Sequence, residues 1–156
     1  LGRELMNIFP QLLNEHTAHE EEHSVEVQIP WLQFSSRDKL TDLRFIPVSI
    51  GTESIKDIKK FAEALFKFSQ QHNITIIASS NIEDTATIKY IESLDTEALI
   101  NYRKRKEKSI KEVSPILTLM ELANIKEQQA KVINYQPSTA GSKEERLKYH
   151  ACIKFK

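Results

Sequence analysis

Glycine is scarce: the 156 residues hold three, Gly2, Gly51 and Gly141, and no two lie close together. Backbone cradles for phosphate need clustered glycines that bring peptide N–H groups against the ligand, so a P-loop or a dinucleotide fingerprint is excluded within this segment. Cysteine is scarcer, and the single Cys152 can form no internal disulfide. No basic-then-apolar leader opens the chain, so the expectation is a reducing, cytoplasmic compartment. An excess of either charge is also missing: 22 basic and 22 acidic side chains give zero formal charge. No global field draws the protein to nucleic acid or to an anionic membrane, and nucleic-acid binding would require a local patch. Long hydrophobic runs are absent too. The longest, such as Phe45–Val48 and Ile74–Ala78, fall far short of the roughly 20 residues that span a bilayer.

A length of 156 residues with 40% hydrophobic content is enough for one globular domain with a sizeable core, and a single domain over 1–156 is the expectation. Leu5, Ile8, Phe9, Leu12 and Leu13 recur at helical spacing, predicting an opening helix interrupted at Pro10. A polar block from Asn14 to Glu22 follows. Ser24 to Leu32 reads equally as a short strand or a helix start, with Pro30 inside it. Leu43 to Ile50 is rich in β-branched residues and predicts a buried strand. Ser54 caps a helix carrying Ile55, Ile58, Phe61, Ala62, Leu65 and Phe68 at helical period. Asn73 to Ser80 predicts a second strand. Helix is expected from about Thr85 to Lys106 with a break near Asp95, and again from Pro115 to Ala123. Lys131–Tyr135 and Leu147–Phe155 predict two further strands joined by the turn-rich PSTAGSKEE segment. This order implies an α/β fold, a mixed β-sheet flanked by helices.

Three stretches could carry chemistry. His19-Glu20-Glu21-Glu22-His23 satisfies the HExxH zinc-metalloprotease pattern, in which two histidines one helical turn apart share a metal and a glutamate acts as base. That helix also needs apolar flanks, and this block is nearly all polar, so a solvated acidic turn accounts for His16 and His19. His23, Ser24 and Glu26 stand where the polar block gives way to apolar residues. His23 and Glu26 are expected to be more buried than His16 and His19 and could face a pocket, while a buried histidine satisfied by a neighbouring carboxylate is the plainer reading. Ser79, Ser80 and Asn81 close the second predicted strand, with Glu83 and Asp84 beyond; ligands gather at the carboxyl ends of strands in open α/β sheets. Turn and N-cap chemistry is the plainer reading of the same residues. The basic run Arg103-Lys104-Arg105-Lys106-Glu107-Lys108 reads as a solvated helix end, because cations favour helix C-termini. Cys152 sits in an apolar-alternating strand and reads as packing.

The block Glu22 to Gln33, EHSVEVQIPWLQ, resembles the signature of the Memo family, commonly EHSLEVQLPFLQ. FIPVSIG (Phe45 to Gly51), IIASS (Ile76 to Ser80), Ser114-Pro115-Ile116 and INY (Ile133 to Tyr135) follow in the family's order, so the resemblance covers nearly the whole chain. It implies an α/β fold related to the class III extradiol dioxygenases, with a site that in some members holds iron or copper. It also implies that the family's N-terminal histidine segments, like PHAGY and GPxH, lie outside this sequence. The family's SSDxxH stands here as Ser79-Ser80-Asn81-Ile82-Glu83-Asp84, with Asn81 for aspartate and Asp84 for histidine. Its Cys-Gly aligns with Lys111-Glu112. A lysine ammonium has no lone pair to give a metal, and Asn81 cannot serve as a carboxylate base.

The candidate pocket is therefore His23, Ser24, Glu26, Ser79, Ser80, Asn81 and Asp84, with no metal and no catalytic residue assigned. The expected function is a non-catalytic binding or regulatory domain with a degenerate metal site and no cofactor. Its partner is unidentified and would be a protein or the missing N-terminal segment. The alternative is an iron- or copper-dependent oxidoreductase whose other ligands come from an absent segment or a partner chain. The HEEEH zinc metalloprotease is the third reading.

Overall fold

A computed structural model describes residues 1–20, 23–82, 84–106, 110–137 and 149–155. They fall into two units, Leu1–Gly51 and Thr52–Lys156.

In the first unit, helix α1 (Gly2–Ile8) stops at Phe9, whose φ of −130° is not helical. The residue before a proline is pushed out of the α region, and Pro10 supplies that push. The polar block then folds locally. Glu15 accepts hydrogen bonds from the Thr17 hydroxyl at 2.7 Å and the Thr17 N–H at 3.3 Å, holding a single 3-10 turn at Thr17–His19. A second such turn at Glu26–Gln28 runs directly into helix α2 (Ile29–Ser35). Pro30 lies in the first turn of α2, where its missing N–H has no helical partner to lose. Of the two readings left open for Ser24 to Leu32, the structure takes the helical one.

Leu43–Ile50 corrects an expectation. Leu43, Ile46, Val48 and Ile50 are half-buried while Arg44, Phe45, Pro47 and Ser49 are exposed, close to a strand's alternation, yet no strand is formed there. A strand exists only when a neighbour takes its N–H and C=O groups, and none of the described residues pairs with this segment.

The second unit opens with helix α3 (Ile55–Gln71), capped by the Ser54 side chain, which accepts from the Asp57 N–H. Its buried face, Ile58, Phe61, Ala62, Ala64, Leu65 and Phe68, is the one that the sequence periodicity marks. Next come strand β1 (Asn81–Ile82), helices α4 (Ala86–Glu92) and α5 (Thr96–Arg105), strand β2 (Ile110–Lys111), helix α6 (Val113–Ile125) and strands β3 (Ala130–Pro137) and β4 (Tyr149–Phe155). The predicted break near Asp95 is present: Leu94 takes a left-handed φ of 54°, and the Asp95 carboxylate accepts from the Ala98 N–H at 2.9 Å to start α5. Helix α6 is buried nearly all round, through Val113, Ile116, Leu117, Met120, Leu122 and Ala123. It packs against α3. Ile58, Ile82, Ile91, Leu99, Val113, Leu117 and Met120 form the continuous core.

The sheet runs β2-β1-β4-β3. Among the described residues every ladder is antiparallel, so the expected mixed sheet is corrected to an antiparallel one. The last two strands pair from Ala130↔Phe155 to Pro137↔Tyr149, with an irregularity between Val132 and Asn134; their connection, 138–148, lies outside the described residues. Asn73–Ser80 is a second correction. Ile74, Ile76 and Ala78 are half-buried and Asn73, Thr75 and Ile77 exposed, but the ladder begins only at Asn81. The alternation is that of a strand with one covered face; the neighbour that would make it one is not among the described residues. Among those residues no helix is long and apolar enough to cross a membrane.

Candidate functional site

The candidate residues fall on both units. In the first, His23 Nδ1 lies 3.1 Å from Glu26 Oε2, with the side chains 73% and 64% exposed. His19 is half-buried and His16 exposed. The expected order of burial is therefore overturned. The His23–Glu26 pair stands exposed where the 3-10 turn Glu26–Gln28 begins, while Ser24 and Val25 are half-buried. The HEEEH reading meets a geometric obstacle as well: His19 ends a three-residue 3-10 turn, and His23 belongs to no helix. Glu21 and Glu22 lie outside the described residues.

In the second unit, Ser79 and Ser80, both half-buried, precede β1, and Asn81 is its first residue. They thus stand at the amino end of an interior strand, where the sequence placed them at the carboxyl end of one. β1 and β2 pair antiparallel with Asn81 opposite Lys111 and Ile82 opposite Ile110. The Ser80 hydroxyl donates to the Glu112 carbonyl at 2.8 Å, clasping the two segments at a residue whose φ is 51°. The structure therefore brings together the Ser80-Asn81 and Lys111-Glu112 segments, thirty residues apart in the chain, which the sequence treats separately.

Asp84 is bound up locally. Its Oδ1 accepts from the Ala86 N–H at 2.9 Å, and its Oδ2 from the Tyr102 hydroxyl at 2.6 Å. Lys106 Nζ stands 3.6 Å from the same Oδ2 and 5.6 Å from the centre of the Tyr102 ring. The Tyr102 hydrogen bond, then the Ala86 N–H, hold the Asp84 carboxyl below the usual aspartate range despite partial desolvation. The same bond from the other side raises the Tyr102 phenol, and Lys106 is raised chiefly by Tyr102. Residue-by-residue reading missed Tyr102 and Lys106. Their one signal was spacing, since positions four apart at a helix end share a side. Arg103, in the same basic run, pairs with Glu53, so part of that run is engaged within the unit. Glu83 and Lys108 lie outside the described residues.

Iron or copper requires several convergent imidazole, thiolate or carboxylate donors. Among the described residues no group of three or more histidine, cysteine, aspartate or glutamate side chains gathers that could hold a metal ion. Asp84 already shares both its oxygens, and the residues at 81 and 111 are an amide and an ammonium.

The protein family described as Memo-like protein matches residues 1–152. A MEMO1 family protein of Sulfurisphaera tokodaii is 30% identical over 144 residues, covering 81% of this chain and 49% of its own length. One from Metallosphaera sedula is 25% identical over 167 residues, covering 97% of this chain and 58% of its own. One from Thermoplasma acidophilum is 33% identical over 88 residues, 56% of this chain and 31% of that protein. The chain thus spans about half the length of these curated relatives. With nearly every residue inside the family match, and the EHSVEVQIPWLQ block, the Ser79-Ser80 turn and the Ser-Pro start of α6 in the family's order, the chain belongs to the Memo-like protein family.

Proposed function

We propose that this chain is a binding or regulatory member of its family, without the metal chemistry that the resemblance implies. The observation that carries this reading is the engagement of Asp84. The carboxylate at the position of the family's histidine is held by the Ala86 N–H, the Tyr102 hydroxyl and the Lys106 ammonium. An ion would have to displace those partners and tolerate Lys106 at close range. Lys111, where the resemblance aligns the family's cysteine, brings an ammonium in place of a lone-pair donor. Incubating metal-free protein with iron, copper or zinc tests it, since a ligand that binds only the folded state raises the thermal midpoint by mass action. No rise is expected. A rise of several degrees that Asp84→Ala abolishes would overturn the proposal in favour of a relocated metal site.

A second reading has one observation in its favour. His23 and Glu26 are exposed side by side, 3.1 Å apart, and offer an imidazole and a carboxylate to an ion whose other ligands come from elsewhere. A metal-dependent rise abolished by His23→Ala, and seen only when the family's remaining segment is supplied, would select that oxidoreductase reading.

A further inference from the structure

Charge that balances over the whole chain does not balance within it. Leu1–Gly51 carries four basic and eight acidic side chains and Thr52–Lys156 carries 18 and 14, so the second unit holds the positive excess. Part of it gathers at the end of α5, where Arg103, Lys104 and Arg105 fill the last turn and Lys106 follows. Cations at a helix C-terminus complement the dipole, which accounts for the run but not for its surroundings. The break at Leu94 and Asp95 lets α4 and α5 pack on each other and brings Tyr90 to Tyr102, with ring centres 5.3 Å apart. Lys89 Nζ stands 4.9 Å from the centre of the Tyr90 ring, and Lys106 Nζ 5.6 Å from that of Tyr102. Both rings are half-buried, while Lys89, Lys104, Arg105 and Lys106 are exposed. Arg103 is tied to Glu53 and Lys106 to Asp84, but among the described residues no carboxylate pairs with Lys89, Lys104 or Arg105.

Cations without carboxylate partners, set about a pair of aromatic rings, suit a single nucleic-acid strand: the cations take phosphates, and the rings take unpaired bases, whose faces a duplex hides. A lipid surface would use the same cations but would also call for an apolar side chain to insert, and none of the exposed large hydrophobic residues lies between Asp84 and Lys106. We infer that Lys89, Tyr90, Tyr102, Lys104, Arg105 and Lys106 form a surface that binds single-stranded nucleic acid. Lys89, Lys104 and Arg105 neutralise phosphates, and the Tyr90–Tyr102 pair stacks with a base as the flexible lysine stems move from ring to phosphate. The inference goes beyond the reading of the metal site and does not rest on it, because Lys89, Tyr90, Lys104 and Arg105 take no part in holding Asp84 and the test leaves Asp84 and its partners in place.

Fluorescein-labelled oligothymidylate and oligouridylate of about 15 nucleotides, long enough for the site that one small domain offers, are titrated with the 156-residue chain and followed by anisotropy. Saturable binding is expected, with log affinity falling against log salt at a slope of about 2–3, as three or four phosphate contacts on a single strand give. An oligothymidylate–oligoadenylate duplex of the same length should bind less tightly. Lys104→Glu with Arg105→Glu, at exposed positions, weakens binding about tenfold or more. Lys67→Glu with Lys154→Glu makes the same change of net charge at exposed positions on α3 and β4 and leaves binding nearly as it was. Tyr90→Leu keeps an apolar side chain against the core, leaves the salt slope unchanged and weakens binding about fivefold or more through lost stacking. Circular dichroism and the thermal midpoint check that this variant is folded; if it is not, the exposed charge reversals still decide. Absence of binding overturns the inference. So does an equal loss in the two charge-reversed chains, which means that net charge alone attracts the strand. A folded Tyr90→Leu chain that binds as before, or a duplex held as tightly as the strand, overturns it too, since the rings then take no base. Phosphatidylserine vesicles that bind the chain where the strand does not would assign the cations to a lipid surface instead.

Discussion

Asp84, Tyr102 and Lys106 show how three neighbouring groups set one another's titration. The folded-state pKa of Asp84 is lowered, so its contribution to stability is present above the ordinary aspartate value and is lost as pH falls through the folded one. Tyr102 and Lys106 are raised; theirs is present below their ordinary values and is lost as pH rises through the folded ones. Tyr102→Phe removes the largest cause for both neighbours. The curve of thermal midpoint against pH should flatten on its acid and alkaline limbs, and carboxyl NMR should show Asp84 titrating closer to an ordinary aspartate. An unchanged Asp84 titration would mean that the Ala86 N–H suffices. Glu121 is the other instructive residue, a buried carboxylate that accepts from the Thr96 hydroxyl at 2.6 Å. Thr96→Val should destabilise the fold by about 1–3 kcal/mol in chemical denaturation, because a buried acceptor is left without its donor. Removing both partners with Glu121→Leu in the same chain should recover part of that loss.

Helices were legible in the sequence, and strands only in part, for a physical reason. The Ser54 cap, the apolar period of α3 and the break at Asp95 are local, and each is written within a few neighbouring residues. Leu43–Ile50 and Asn73–Ser80 carry strand composition and near-alternating burial, but a ladder depends on a partner distant in the chain, and composition does not say where the partner is. β3 and β4 could be read because each is the other's partner. The end of α6 makes a local test possible. The Gln128 N–H donates to the Ala123 carbonyl and the Glu127 N–H to the Asn124 carbonyl, with Glu127 at a φ of 52°. This doubly bonded helix stop favours glycine at the left-handed position. Glu127→Gly, at an exposed site, should stabilise the protein by about 0.5–1 kcal/mol; a loss of stability would mean that the Glu127 side chain contributes something its exposure conceals. Asp95→Ala should cost about 1 kcal/mol by uncapping α5.

For the whole molecule, the two units differ in how they are held. The second has a continuous core from Ile58 to Met120, whereas in the first Leu5 alone is buried among the described residues. Amide exchange should therefore be slow through α3 and α6 and fast through α1 and α2. Equal protection across both units would contradict that division. The candidate site was legible to the extent that its segments could be named. Lys111 and Asn81 could be aligned from sequence, but their adjacency could not, because it depends on the two helices between them folding back on themselves. The order β2-β1-β4-β3 has a further consequence during synthesis. β4, the most C-terminal of the described strands, lies between β1 and β3, and its Tyr149 pairs with Ile82 of β1. Until Tyr149–Phe155 has left the ribosome, the nascent chain holds a set of helices and two unconnected strand edges. Among the described strands, the joining of β1 to β3 therefore waits on translation of β4 rather than on the speed of any local step.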